Sequence, residues 1–237
     1  MKQLVAQSQF HQTLGAGRLQ PSPQKKDEIL EDTNMNAQGK WLSVIAVLLL
    51  SLTATTPIAF GQAQHVRWDI ISVNFTTTPA TISADGVAFA KSPAPDNLTI
   101  KLTGAGTFVA PAGRRGGSAA ASGGGTWEIF SPTEVSLASG TYSVTELVRF
   151  EFASPQTPGA TIDNIGNQAE AANGTAVLRI EFSDGSQGIL TVGCHGPGAP
   201  DGIFEGIATT KGFKTFYEVE DPAPGVDMNR TVFHVRQ

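Results

Sequence analysis

The stretch "TAVLRIEFSDGSQGILTVGC", Thr175–Cys194, alternates apolar and polar residues and turns on Asp184-Gly185. Ala176, Leu178, Ile180 and Phe182 share one face, with Thr175, Arg179 and Glu181 opposite. Period two is the spacing of a strand with one buried face, and Asp-Gly accepts positive φ at little cost. The pattern predicts a β-hairpin closed by a two-residue turn.

The same period recurs along the chain. In "TYSVTELVRFEFA", Tyr142, Val144, Val148, Phe150 and Phe152 fall on one face. Glu146 interrupts that apolar side and Leu147 the polar one. Further strands are expected at "HVRWDIISVNF", "ATISADGVAFA", "NLTIKLT" running into "GTFVA", "GTWEIF", "IFEGIATT", "GFKTFYEVE" and "RTVFHVR". Gly106-Thr107-Phe108, Gly125-Thr126-Trp127 and Gly140-Thr141-Tyr142 each open a strand with its aromatic aimed at a shared core. "PAGRRGGSAAASGGG", Pro111–Gly125, reads as a flexible surface loop carrying Arg114 and Arg115. Residues 166–172 are expected to hold a short helical turn. About ten strands with short Gly-rich turns predict an all-β fold, a single antiparallel β-barrel with a β-sandwich as the alternative.

Residues 35–62 read as a signal-peptide helix ahead of that domain. Met35 precedes Lys40, the apolar run Trp41–Leu52, and small residues around Gly61 and Ala63. The apolar run is short for a membrane span, and only the addition of "TATTPIAF" makes an uncleaved anchor the alternative. Residues 1–34 are polar and aperiodic. They read as a disordered tail or as sequence upstream of a true start at Met35. The all-β domain is then 63–237, and the protein is expected to be secreted or periplasmic. From Gln62 onward it carries 11 Lys and Arg against 17 Asp and Glu, a formal charge of −6. No basic stripe or aromatic–basic interleaving invites nucleic acid. One cysteine makes no internal disulfide, so stability is left to packing.

Cys194-His195 is the one sequence pair that raises a question of chemistry. Cys194 continues the apolar row of Leu190 and Val192, which suits a buried cysteine. His195 points the other way, poor geometry for a nucleophile and its base. The binding candidates are His195, Asp201 and Glu205, close in sequence, and His234 from a strand, with His65 as a further strand histidine that could join them around a metal. Their spacing matches no zinc, calcium or metalloprotease motif, so no metal or cofactor is expected. GxSxG, P-loop and dinucleotide fingerprints are missing, and no catalytic residue is assigned. Glu146 and Glu151 fall on opposite faces of one regular strand, which argues against a glycosidase pair. Asn74, Asn97, Asn173 and Asn229 stand in glycosylation sequons.

The run "ILTVGCHGPGAPDGIFEGIATTKGF" resembles the strand–Gly-rich turn–strand signature of allene-oxide-cyclase-like and dirigent-like β-barrels through Gly202, Phe204 and Gly206. The turn is lengthened by "CHGPGAP", and Thr209 stands where that family often has a later Gly. It is similar, more broadly, to secreted bacterial β-proteins. The resemblance implies a barrel and transfers no catalytic position. Three functions follow as expectations: a non-catalytic barrel binding a small apolar ligand or a partner surface, a lumen-site isomerase or cyclase, or a structural envelope protein. The mature N-terminus should lie between Gln62 and His65, which N-terminal sequencing of exported protein reads directly; a start at Met1 or Met35 would reject cleavage.

Overall fold

The computed structural model describes residues 63–111, 118–220, 223 and 225–236. The expected 1–34 tail, the 35–62 signal helix, and Arg114 and Arg115 lie outside the described residues. Within them the chain is all-β, as its period-two pattern requires. The strands are β1 Gln64–Asn74, β2 Ala80–Ser83, β3 Ala88–Lys91, β4 Thr99–Leu102, β5 Ala105–Ala110, β6 Ala121–Phe130 and β7 Ser136–Pro155. They continue with β8 Thr161–Asp163, β9 Ala171–Phe182, β10 Gln187–Cys194, β11 Gly206–Lys211, β12 Lys214–Phe216, β13 Glu218–Val219 and β14 Arg230–Arg236. A single 3-10 turn, Gln168–Glu170, answers the helical turn expected at 166–172.

Six strands close an antiparallel barrel in the order β9, β14, β1, β5, β6, β7 and back to β9. The remaining strands lie outside this ring. β10, β11 and β12 extend from β9, and β4, β3 and β13 extend from β6. Only Tyr217 separates β12 from β13, so the chain itself joins these two walls. β2 pairs with the end of β1 and, in parallel, with β8, forming a flap over the outer face of β1 and β14.

The barrel interior is filled with side chains. Phe108 of β5, Phe150 of β7 and Phe233 of β14 touch across it, with ring centroids 5.2 and 5.3 Å apart. Trp68, Leu147, Ala176 and Leu178 complete that layer, and Trp127 meets Phe182 edge-on at 5.8 Å. Phe108, Trp127 and Tyr142, the aromatics of the three Gly-Thr-aromatic triplets, all enter this one core. Each such side chain contributes about 1.5–3 kcal/mol by leaving water. A second, smaller cluster of Ile71, Val73, Ile82, Ala171 and Val232 lies between the ring and the flap.

Four sequence expectations are corrected. The Asp184-Gly185 hairpin forms, but its loop has three residues. Phe182 pairs with Ser186 and Gly185 takes a φ of 83°, the left-handed position that closes a bulged three-residue turn. "ATISADGVAFA" is two strands, because Asp85 adopts a φ of 68° between them. Residues 121–125 are strand rather than loop. A Cβ on Gly123 would lie 2.3 Å from the Ala105 carbonyl, so glycine lets β5 and β6 approach there. Finally, β7 is not regular. Its pairing with β9 shifts between Val144 and Glu146 and again between Leu147 and Arg149. Each shift inserts one residue and turns the strand over. Leu147, between the two shifts, thereby enters the core fully buried. The second shift restores the original phase, so Phe150 packs on the core, and Phe152, beyond it on the same face, is 45% exposed.

This reversal is testable. Leu147→Ala should cost about 2–5 kcal/mol in denaturant unfolding. Phe152→Ser should cost about 1 kcal/mol or less. An unbulged strand would turn Leu147 outward, and Leu147→Ala would then cost about 1 kcal/mol or less.

Candidate functional site

The site is built where β10 ends and the long loop to β11 begins. At this point β10 and β14 run side by side without a backbone ladder. Thr231 Oγ1 donates to the Gly193 carbonyl at 2.6 Å, bridging the two strands. The Thr231 N–H donates to Glu205 Oε1 at 2.5 Å, and the His195 N–H donates to Glu205 Oε2. The carboxyl therefore accepts from two backbone groups that no neighbouring strand satisfies. Asn173 of β9 ties the same loop down by accepting from the Gly196 N–H at 2.8 Å. Glu205 is buried, and burial raises its pKa from 4.5 to about 7 against the lowering by its N–H partners.

Cys194 ends the row of Leu190 and Val192 and is fully buried, as its place in the sequence suggested. Its thiol donates to the Thr231 carbonyl at 3.3 Å and accepts from Gln156 Nε2 at 3.4 Å. Burial pushes its pKa far up, the reverse of an activated nucleophile. The His195 ring lies on the exposed side. Its Nδ1 stands 2.6 Å from the Ile203 carbonyl, which can only accept, so Nδ1 is the donor and neutral His195 keeps its lone pair on Nε2.

Beside this wall a cleft of about 180 Å³ opens outside the barrel. Ile71, Val73, Ile82 and Val232 of the second apolar cluster form its floor. Phe75 stands at its edge, 39% exposed, and His195, Glu205 and Arg230 line its polar side.

The structure thus joins His195 and Glu205 but not the other two candidates. Asp201 is exposed in the turn of the loop. His234 does not face solvent or the lumen. It lies on the outer face of β14, buried beneath the 163–166 segment, with Nε2 2.6 Å from Asp163 Oδ2. Asp163 Oδ1 accepts from the N–H groups of Ile165 and Gly166, at 2.8 and 3.1 Å. Alternation with Phe233 and Val235 predicts that His234 faces solvent or a lumen, and it could not reveal the flap that covers the residue. His65, opposite Arg236, lines a separate cleft with His234. Among the described residues no three metal-ligating side chains converge.

Glu146 and Glu151 are brought to one face by the bulges of β7, contrary to the regular-strand expectation. Each is paired with an arginine, Glu146 with Arg179 at 2.7 Å and Glu151 with Arg149, which leaves no free acid–base couple. Of the four sequon asparagines, Asn74 and Asn97 are exposed, while Asn173 and Asn229 are wholly buried. Thr231, Gln156, Arg230 and Asp163 escaped the sequence reading, since each acts through a fold contact rather than a local motif. Comparison with protein families, with characterised proteins and with solved structures finds no match to this chain.

Two outcomes are expected. Glu205 has its pKa raised on folding, so its contribution is complete below about pH 4.5 and is lost as pH rises through about 7. The loss amounts to about 3 kcal/mol, at 1.36 kcal/mol per unit. Denaturant unfolding at pH 5 and pH 8 should show this drop in the parent and not in Glu205→Gln; equal pH responses would exclude the raised pKa. Native Cys194 should label slowly with a thiol reagent and quickly once denatured. Fast native labelling would reopen the nucleophile reading.

Proposed function

We propose that this is an exported, non-catalytic β-barrel protein that binds a small apolar ligand in the cleft beside Glu205. The observation that carries the reading is the coincidence of an apolar floor with a converging polar wall, the usual make-up of a small-molecule site. The packed aromatics of the barrel interior favour a site outside the lumen over a lumen isomerase or cyclase. The absence of an activated nucleophile at Cys194 weighs the same way. The apolar run Trp41–Leu52 supports export to a secreted or periplasmic location.

A partner surface is the second reading. Phe213 is fully exposed in the turn between β11 and β12, and Tyr217 just beyond is 60% exposed. Exposed aromatics of this kind are common anchors of protein interfaces.

Native mass spectrometry of the protein from its own host tests the first reading. The parent should carry a small bound molecule, and Ile82→Trp, which fills the cleft floor, should carry none. A parent free of ligand, or a ligand retained by Ile82→Trp, would overturn it.

A further inference from the structure

We infer that the ligand of this cleft presents an anionic oxygen to Arg230, and that its class is a short-chain carboxylic acid. The inference rests on the cleft being the binding site. Arg230 opens β14 on the cleft's polar side. Its Nη2 donates to the Ala223 carbonyl at 3.1 Å, and its guanidinium stands 5.6 Å over the Phe75 ring. Among the described residues its buried Nε has no acceptor. A charged donor group with an unmet N–H is costly and uncommon, and the same guanidinium lines the cleft, where a ligand oxygen meets its outer N–H groups.

Among the described residues the nearby acceptors already hold hydrogen bonds. Glu205 accepts from the Thr231 and His195 N–H groups. The Ile203 carbonyl accepts from His195 Nδ1. Asp227, which reaches the cleft floor from the same connection as Arg230, accepts from the Val73 N–H at 2.5 Å and from Ser72 Oγ at 2.7 Å. Among the described residues the group left over at the wall is therefore a cationic donor, close to the Glu205 carboxyl but not hydrogen-bonded to it. A guanidinium presents its N–H groups as a fork that fits a carboxylate. An alkylammonium would meet the like charge of Arg230 and would find Glu205 already bonded. The apolar floor of Ile71, Val73, Ile82 and Val232 then takes the hydrocarbon part, and about 180 Å³ holds only a short one.

Isothermal titration with hexanoate, hexylamine and hexanol tests this on the parent, Ile82→Trp, Arg230→Gln and Arg230→Lys. Circular dichroism and thermal melting first establish that each variant is folded. Hexanoate should bind the parent at least ten-fold more tightly than hexylamine or hexanol. Ile82→Trp should abolish that binding, and Arg230→Gln should weaken it at least ten-fold. Arg230→Lys, which keeps the charge and loses the fork, should recover only part. Should Arg230→Gln fail to fold, the loss of affinity in Arg230→Lys answers the same question. Hexanol or hexylamine binding as tightly as hexanoate, blocked by Ile82→Trp, would overturn the carboxylate assignment and leave the cleft reading standing. Hexanoate binding unchanged in both Arg230 variants would do the same. No binding of any probe to the parent would overturn both.

Discussion

β9 is hydrogen-bonded along both edges, and the architecture follows from that. One edge pairs with β7 from Ala172 to Phe182. The other pairs with β14 at Ala171 and Ala172, then with β10 from Gly174 to Glu181. The inward residues grow along the strand: Ala172, Gly174 and Ala176 at one end, Leu178, Ile180 and Phe182 at the other. Small residues leave room for Phe150 and Phe233 inside the ring, and large ones fill the space toward Trp127 and Tyr142. A graded strand of this kind sets where the barrel is narrow and where it is wide.

The change of partner along β9 also creates the candidate site. Where β14 and β10 part, the backbone groups of Thr231 and His195 face a fork instead of a strand. Buried backbone donors must find acceptors. Glu205 supplies them from the loop, and its own burial is the cost. The segment "CHGPGAP" is thus what the carboxyl holds in place, through the His195 N–H. The cleft opens along the same fork, between the loop and the flap on β1 and β14.

Much of this was legible in the sequence, for a physical reason. Period two reports which face is buried, so the β9–β10 hairpin, the Cys194 row and the buried aromatics of the Gly-Thr-aromatic triplets could be read directly. What escaped are features set by neighbours. Leu147 looked misplaced because the bulges that turn it inward are visible only against β9. Gly123 looked like loop because a missing side chain signals freedom in isolation and close approach in a sheet. His234 read as facing solvent or a lumen because the Asp163 flap comes from a distant segment. Glu205 was singled out by chemical type, but its partners Thr231 and Arg230 lie in another strand.

Amide hydrogen exchange along β9 tests the central claim most directly. A strand bonded on one edge only protects every second amide, whereas one bonded on both protects them all. Consecutive amides from Thr175 to Glu181 should therefore exchange slowly, near the rate set by global unfolding. Fast exchange at alternate positions of that run would contradict the claim, since β9 would then lack either β7 or β10 along one edge.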